Sequence, residues 1–205
     1  MQLFYGVPED MDKWMSLVSQ VRSGFPGLET QEKLSEHRAA VLKFMRNRQA
    51  VCVKEEKEIV GVMLFSRGHN SICCLAVAPA YRRRGIAAML MDEALANLDR
   101  TKDITVSTFR ADDEKGLAPR ALYEKYGFVA DELTEEFDYP NQKFVLPPIG
   151  AERRDDLAER RLNPSPDGKS LPERRENCRG ESIERKCISN FLRSHSLLGK
   201  HDKSG

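Results

Sequence analysis

No stretch of this chain reaches the roughly 20 consecutive apolar residues that a bilayer-spanning helix needs, so the reading is of a chain without a membrane partner. The start, Met1-Gln2-Leu3-Phe4-Tyr5, runs into Glu9, Asp10 and Asp12. It has neither the basic opening nor the apolar run of a secretory signal. A surplus of charge is missing too: 33 Lys+Arg stand against 32 Asp+Glu, a formal net charge of +1. That leaves no global electrostatic case for a nucleic-acid partner or an anionic membrane. Cysteines number only 5 and include no C-x-x-C pair. Adjacent Cys73 and Cys74 are expected on opposite faces of a strand, where they cannot share a metal; no metal is expected, and reduced thiols fit a cytoplasmic protein. Neither a G-x-x-x-x-G-K-[ST] nor a G-x-G-x-x-G string is present, which excludes the two commonest glycine-rich nucleotide loops.

What is present divides in two. Residues 1–150 hold 20 Lys+Arg and 22 Asp+Glu, and the remaining stretch is basic, with Pro147-Pro148-Ile149-Gly150 punctuating the change. A domain over 1–148 is expected, followed by a charged, weakly ordered tail over 149–205. Within the tail, Ile183, Cys187, Ile188, Phe191, Leu192 and Leu198 fall near one stripe of a short amphipathic helix over 182–198.

The first part alternates legibly. Gln2 to Val7 reads as a strand. A helix opens at Pro8-Glu9-Asp10 and runs to about Val21, with acids in its first turn. A second helix runs from Thr30 to about Arg46. Three strands follow, Ala50 to Lys54, Ile59 to Phe65 and Ser71 to Val77, and then a helix from Gly85 to Leu98. After these come a strand over Ile104 to Phe109, a helix over Pro119 to Tyr126 and a hairpin ending near Leu146. The order predicts an α/β fold, a mixed sheet with helices on both faces.

The segment that carries chemistry begins at the end of the third of those strands, Leu75-Ala76-Val77-Ala78-Pro79. Three arginines, Arg82, Arg83 and Arg84, follow, then Gly85-Ile86-Ala87-Ala88 at a helix start. A helix N-terminus presents unpaired N–H groups and partial positive charge, and a diphosphate settles there if side chains leave room. Gly85, Ala87 and Ala88 leave that room.

The string Arg82-x-x-Gly85-x-Ala87 resembles the [QR]-x-x-G-x-[GA] phosphate motif of the GCN5-related N-acetyltransferase (GNAT) family. Ala121-Leu122-Tyr123-Glu124-Lys125-Tyr126-Gly127-Phe128 is similar to that family's late helix, with its L-Y-x-x-x-G-F ending. The resemblance covers roughly residues 2 to 147 and implies a fold whose two central strands splay apart, with the pantetheine arm of acetyl-CoA between them. Backbone groups of Leu75, Ala76 and Val77 would pair with that arm. Backbone N–H groups from Arg83 to Ala88, Ile86 included, would hold the diphosphate, and Tyr123 would act as general acid toward the departing thiolate. Two positions depart from the family pattern: Gly116 stands where a coenzyme-touching Asn is usual, and Pro119 where Ala is usual.

The resemblance also implies the chemistry. An N-acetyltransferase moves an acetyl group from acetyl-CoA to an amine acceptor by direct transfer through a tetrahedral intermediate, with no covalent enzyme intermediate. A small-molecule amine is the expected acceptor. The alternatives are a protein lysine or N-terminus, or a catalytically weak sensor that only binds the coenzyme; a monomer or homodimer is expected. His69, just before the central strand, is a candidate base because it titrates in the right range; a glutamate acting through water, or no dedicated base, are alternatives. Trp14, Phe25, Leu28 and Arg38, from the first two helices and their loop, are candidate acceptor-lining residues. Asp112, Asp113 and Glu114 could attract a cationic amine or form a solvated turn.

Overall fold

A seven-stranded sheet organises the chain, in the order β1-β2-β3-β4-β5-β7-β6. In this computed structural model the described residues are 1–150. The tail reading beyond Gly150, with its helix over 182–198, falls outside them. The strands are β1 (Gln2–Tyr5), β2 (Ala50–Glu55), β3 (Glu58–Ser66), β4 (Ser71–Val77), β5 (Ile104–Phe109), β6 (Val129–Glu136) and β7 (Tyr139–Leu146). Every neighbouring pair is antiparallel except β4 and β5, which run parallel. The helices are α1 (Met11–Val21), α2 (Gln31–Arg46), α3 (Ile86–Asn97) and α4 (Leu117–Lys125).

The two faces of the sheet carry separate cores. On one, Trp14, Leu17 and Val18 of α1 and Val41 and Phe44 of α2 cover Cys52, Val62, Leu64 and Ala76. On the other, Ile86, Leu90, Met91 and Ala94 of α3 and Tyr123 of α4 cover Val51, Met63, Phe65, Val106 and Phe144. The helix starts follow from local chemistry. The Thr30 hydroxyl accepts from the Lys33 N–H at 3.2 Å, capping α2. Helix α4 begins at Leu117, two residues before the expected start at Pro119. Pro119 therefore sits in the first turn, where its missing N–H is no loss. Among the described residues no helix is long and apolar enough to cross a membrane.

One expectation is corrected. The register of β3 on β4 runs Leu64↔Cys74 and then Phe65↔Ile72, so Cys73 is an extra residue, a β-bulge. Side chains of Cys73 and Cys74 consequently both pack against the α1/α2 core, not on opposite faces. An all-apolar run such as Ile72-Cys73-Cys74-Leu75-Ala76-Val77 has no alternation from which a bulge can be read.

Candidate active site

Strands β4 and β5 pair only at Ser71↔Thr105 and Ile72↔Val106 and then diverge. Asn70 pins the closed end of this V. Its amide nitrogen donates to the carbonyls of Asp99 and Asp103, both at 2.9 Å, and its amide oxygen accepts from the Asp99 N–H at 2.8 Å. Its own carbonyl accepts from the Thr105 N–H at 3.2 Å. The residue takes φ +48, a left-handed conformation that asparagine tolerates better than most residues. Sequence reasoning passed over Asn70; the signal was an asparagine in a turn immediately before a strand.

Past the bulge, one edge of β4 faces the open side of the V. The Ala78 N–H donates to the Val60 carbonyl of β3 at 2.9 Å. With a period of two, Ala76 also turns its backbone groups to β3, whereas Leu75 and Val77 turn theirs into the V. The bulge thus decides which amides face the opening.

A tight turn follows the open edge. A single 3-10 turn over Pro79–Tyr81 leads to Arg83 at φ +61 and Gly85 at φ +81, and α3 starts at Ile86. Left-handed residues on either side of Arg84, just ahead of a helix, curl backbone N–H groups into an anion-binding concavity. The first helical bond of α3 runs from the Met89 N–H to the Gly85 carbonyl at 3.0 Å. The N–H groups of Ile86, Ala87 and Ala88 therefore have no partner within the helix. A Cβ placed on Gly85 would meet nothing within 4 Å, so the turn leaves space for a ligand to approach the backbone. Arg82, Arg83 and Arg84 are all exposed. Arg82 reaches back to the Val77 carbonyl at 3.4 Å, and the Arg84 guanidinium lies 5.0 Å from the Tyr81 ring centroid.

Tyr123 is set from the other wall. The sequence Gly127-Phe128 closes α4 with a Schellman motif: the Gly127 N–H donates to the Glu124 carbonyl at 2.9 Å and the Phe128 N–H to the Tyr123 carbonyl at 3.0 Å. Gly127 takes φ +85 to do so. The Phe128 ring then packs 5.7 Å from the Tyr123 ring, and Phe144 packs behind at 6.3 Å. The glycine and phenylalanine of the motif are thus the clamp that orients the tyrosine. Tyr123 is 5 % exposed. Burial, with a smaller contribution from the neighbouring Cys74 thiol, raises its pKa and keeps it a phenol. Its hydroxyl makes no hydrogen bond among the described residues. Burial pushes the Cys74 thiol up to about 12, so it stays protonated. The two side chains interact across the V from opposite faces of the sheet.

The other expected residues are placed as follows. His69 is exposed, on the turn at the closed end of the V, its N–H donating to the Ser66 hydroxyl at 3.3 Å. Gly116 is buried at the start of α4, where a Cβ would lie 3.0 Å from both the Arg110 carbonyl and the Phe109 Cβ. An asparagine side chain has no space there. Trp14 is 1 % exposed and belongs to the core. Leu28 is buried and Phe25 half-buried beside it, in the loop before α2. The tip of the β6–β7 hairpin rests on that loop, since a Cβ on Gly27 would come 2.6 Å from a Phe137 ring carbon. Arg38 is exposed and paired with Asp12 at 2.8 Å. In the loop after β5, Asp113 accepts from the Tyr139 hydroxyl at 2.6 Å and the Lys115 N–H at 2.9 Å, which lower its pKa, while Asp112 and Glu114 are exposed. Of these residues, the structure gathers Leu75, Val77, the α3 turn and Tyr123 around one V.

A sequence profile of the acetyltransferase (GNAT) domain matches residues 27–140. Solved structures with the same architecture include a GNAT-family acetyltransferase from Bacillus cereus, at 20 % identity and TM-score 0.56, covering 72 % of this chain and 97 % of that one. An N-acetyltransferase from Staphylococcus aureus aligns at 17 % identity and TM-score 0.57, over 71 % of this chain and 100 % of the other. The PaiA N-acetyltransferase of Thermoplasma acidophilum, solved in complex with coenzyme A, aligns at 12 % identity and TM-score 0.52, over 69 % and 96 % of the two chains. No curated protein matches by sequence.

Proposed function

We propose, from the premise that the chain belongs to the acetyltransferase (GNAT) domain family, that it moves an acetyl group from acetyl-CoA to a primary amine of a small molecule. Acyl transfer from an acyl-CoA is the chemistry of this family's domain; the acetyl donor and the small amine are the finer reading. The observation that carries it is Tyr123, a buried phenol with an unpaired hydroxyl clamped beside an open strand edge that ends in a glycine turn.

In this reading the N–H groups of Ile86, Ala87 and Ala88 hold the diphosphate, helped by the dipole of α3 and the charge of Arg82 to Arg84. Leu75 and Val77 extend the sheet to the pantetheine amides. A strand N–H at Val77 polarises the thioester carbonyl as the amine attacks. Carbon–nitrogen bond formation gives the tetrahedral oxyanion; its collapse breaks the carbon–sulfur bond, and the Tyr123 hydroxyl donates to the leaving sulfur. A phenol whose pKa is raised by burial is protonated throughout the physiological range, as a donor must be. The same dry surroundings also raise the basicity of a departing thiolate. The attacking amine arrives neutral and sheds one proton as the amide forms, to water or to His69, the candidate base, and the phenolate left at Tyr123 regains its proton from water. Reduced thiols at Cys52, Cys73 and Cys74 accord with a cytoplasmic setting.

Thiol release from acetyl-CoA over a panel of small primary amines tests the proposal, with a lysine peptide as control. Faster release with one amine, and that amine found acetylated by mass spectrometry, supports it. Tight acetyl-CoA binding with no release for any acceptor would favour the sensor reading, and release with the peptide alone would favour a protein acceptor.

A further inference from the structure

A second tyrosine, Tyr126, follows directly on the last residue of α4. Its N–H donates to the Leu122 and Tyr123 carbonyls at 3.2 and 3.0 Å, so its backbone is bonded to that of Tyr123. In the L-Y-x-x-x-G-F string it stands at an unspecified position, and the motif assigns it no task.

Its side chain runs to the other helix of the site. The hydroxyl donates toward Asp92 Oδ1 at 2.7 Å and the Ala88 carbonyl at 3.1 Å. These two acceptors are four residues apart, one turn on the same face of α3. Burial, then the bond to Asp92 and its charge, push the phenol up to about 12, so the group stays a donor. The ring is half-buried against the α3/α4 core, while Asp92 is exposed. Apolar packing is non-directional and tolerates sliding. A short bond to a carboxylate is directional and fixes one register between the helices.

Ala88 faces two ways. Its N–H is among those at the start of α3 that have no partner within the helix, and its carbonyl is approached by Tyr126. One residue thus joins the α3 turn to the end of α4 that carries Tyr123. We propose that Tyr126 is a positioning residue that sets the spacing between the diphosphate-holding turn of α3 and Tyr123, so that a single acetyl-CoA reaches both. The inference rests on the acetyl-CoA reading above. Two subsites joined by one ligand reinforce each other only while their separation matches the length of the link. A bond between the elements that carry them holds that separation before the ligand arrives.

Calorimetry on the full chain tests this with three ligands. They are acetyl-CoA, the nucleotide fragment that ends at the diphosphate, and acetyl-pantetheine, which carries the thioester and no phosphate. Tyr126→Phe keeps the ring and removes the hydroxyl. It should weaken acetyl-CoA about five- to tenfold and leave the affinity of each fragment unchanged, a split that a merely structural role would not produce. Asp92→Asn, which keeps an acceptor oxygen, should bind acetyl-CoA as the parent does. Unchanged acetyl-CoA affinity in Tyr126→Phe overturns the proposal. So does a loss for either fragment as large as that for the whole coenzyme, which would mean that Tyr126 shapes one end alone. An equal loss in Asp92→Asn would place the effect in the carboxylate charge and overturn the tether. If the parent chain bound neither acetyl-CoA nor its fragments, the acetyl-CoA reading itself would fall and the role of Tyr126 with it. Asp92→Ala read against Asp92→Asn makes the same comparison should the phenylalanine variant fail to fold.

Discussion

The two ends of the β4–β5 V are built on opposite terms. At the closed end Asn70 uses both amide hydrogens, its amide oxygen and its main-chain carbonyl, each on a backbone group at 2.8–3.2 Å. At the open end the Tyr123 hydroxyl makes no hydrogen bond among the described residues, the first amides of α3 have no partner within the helix, and the edge of β4 is met only lightly, by Arg82 at the Val77 carbonyl at 3.4 Å. Two glycines repeat the contrast. Gly61 lies under α3, and a Cβ there would come 2.4 Å from the Ile86 Cγ2, whereas a Cβ on Gly85 would meet nothing. Satisfied polar groups and dense contacts mark where the fold is held, and unsatisfied groups lining space mark where a partner completes it.

Five changes would break or sharpen this contrast. The largest effect is expected of Tyr123→Phe, which keeps the ring packed on Phe128 and Phe144 and removes only the donor. Turnover should fall about 10²-fold or more, with acetyl-CoA affinity nearly constant by calorimetry. Equal turnover would assign the proton to water or another group. Asn70→Ala tests the closed end. It strands one N–H and two carbonyls and places alanine at φ +48, so denaturant unfolding should show a loss of about 3 kcal/mol. A loss below about 1 kcal/mol would show that the V does not depend on its pin.

Acid should act through the paired half of the sheet. His37 on α2 is 5 % exposed, with an unpaired Nε2, and burial lowers its pKa from 6.5 to about 4. The folded chain thus favours the neutral imidazole. Its contribution is complete above pH 6.5 and lost as pH falls toward 4, a loss of about 2 kcal/mol at pH 5. His37→Leu should flatten that part of the stability–pH curve, and an unaltered acid limb would acquit the residue. The smallest effect belongs to Gly85→Ala. Left-handed strain should cost about 1 kcal/mol of stability, with coenzyme affinity falling about tenfold as a methyl enters the phosphate turn. Gly61→Ala should do the reverse, lowering stability by about 1–3 kcal/mol through overpacking and sparing affinity.

Much of this architecture was legible in the sequence. Ser71 to Val77 and Ile104 to Phe109 were read with the bounds the structure has, because apolar runs flanked by turn residues are strong strand signals. Gly85 and Tyr123 stood out because their neighbours, the small residues after the arginines and the Gly-Phe ending, serve local geometry that a short motif can record. Two features were not legible. The Cys73 bulge lies in a run without polar alternation. His37 occupies the apolar stripe of α2 with Leu34, Val41 and Phe44, where a histidine looks like packing until its unpaired nitrogen is seen.

The single extra residue at Cys73 acts as a phase shifter for everything downstream of it. Were Cys73 instead to take the regular place opposite Leu64, β4 could still pair with β3, yet the roles of odd and even residues from Cys74 onward would be exchanged. The amides of Ala76 would then look into the V and those of Leu75 and Val77 into the sheet, while Leu75 and Val77 would swap cores with Ala76. One bulge thus settles which residues of the strand turn their amides to the opening.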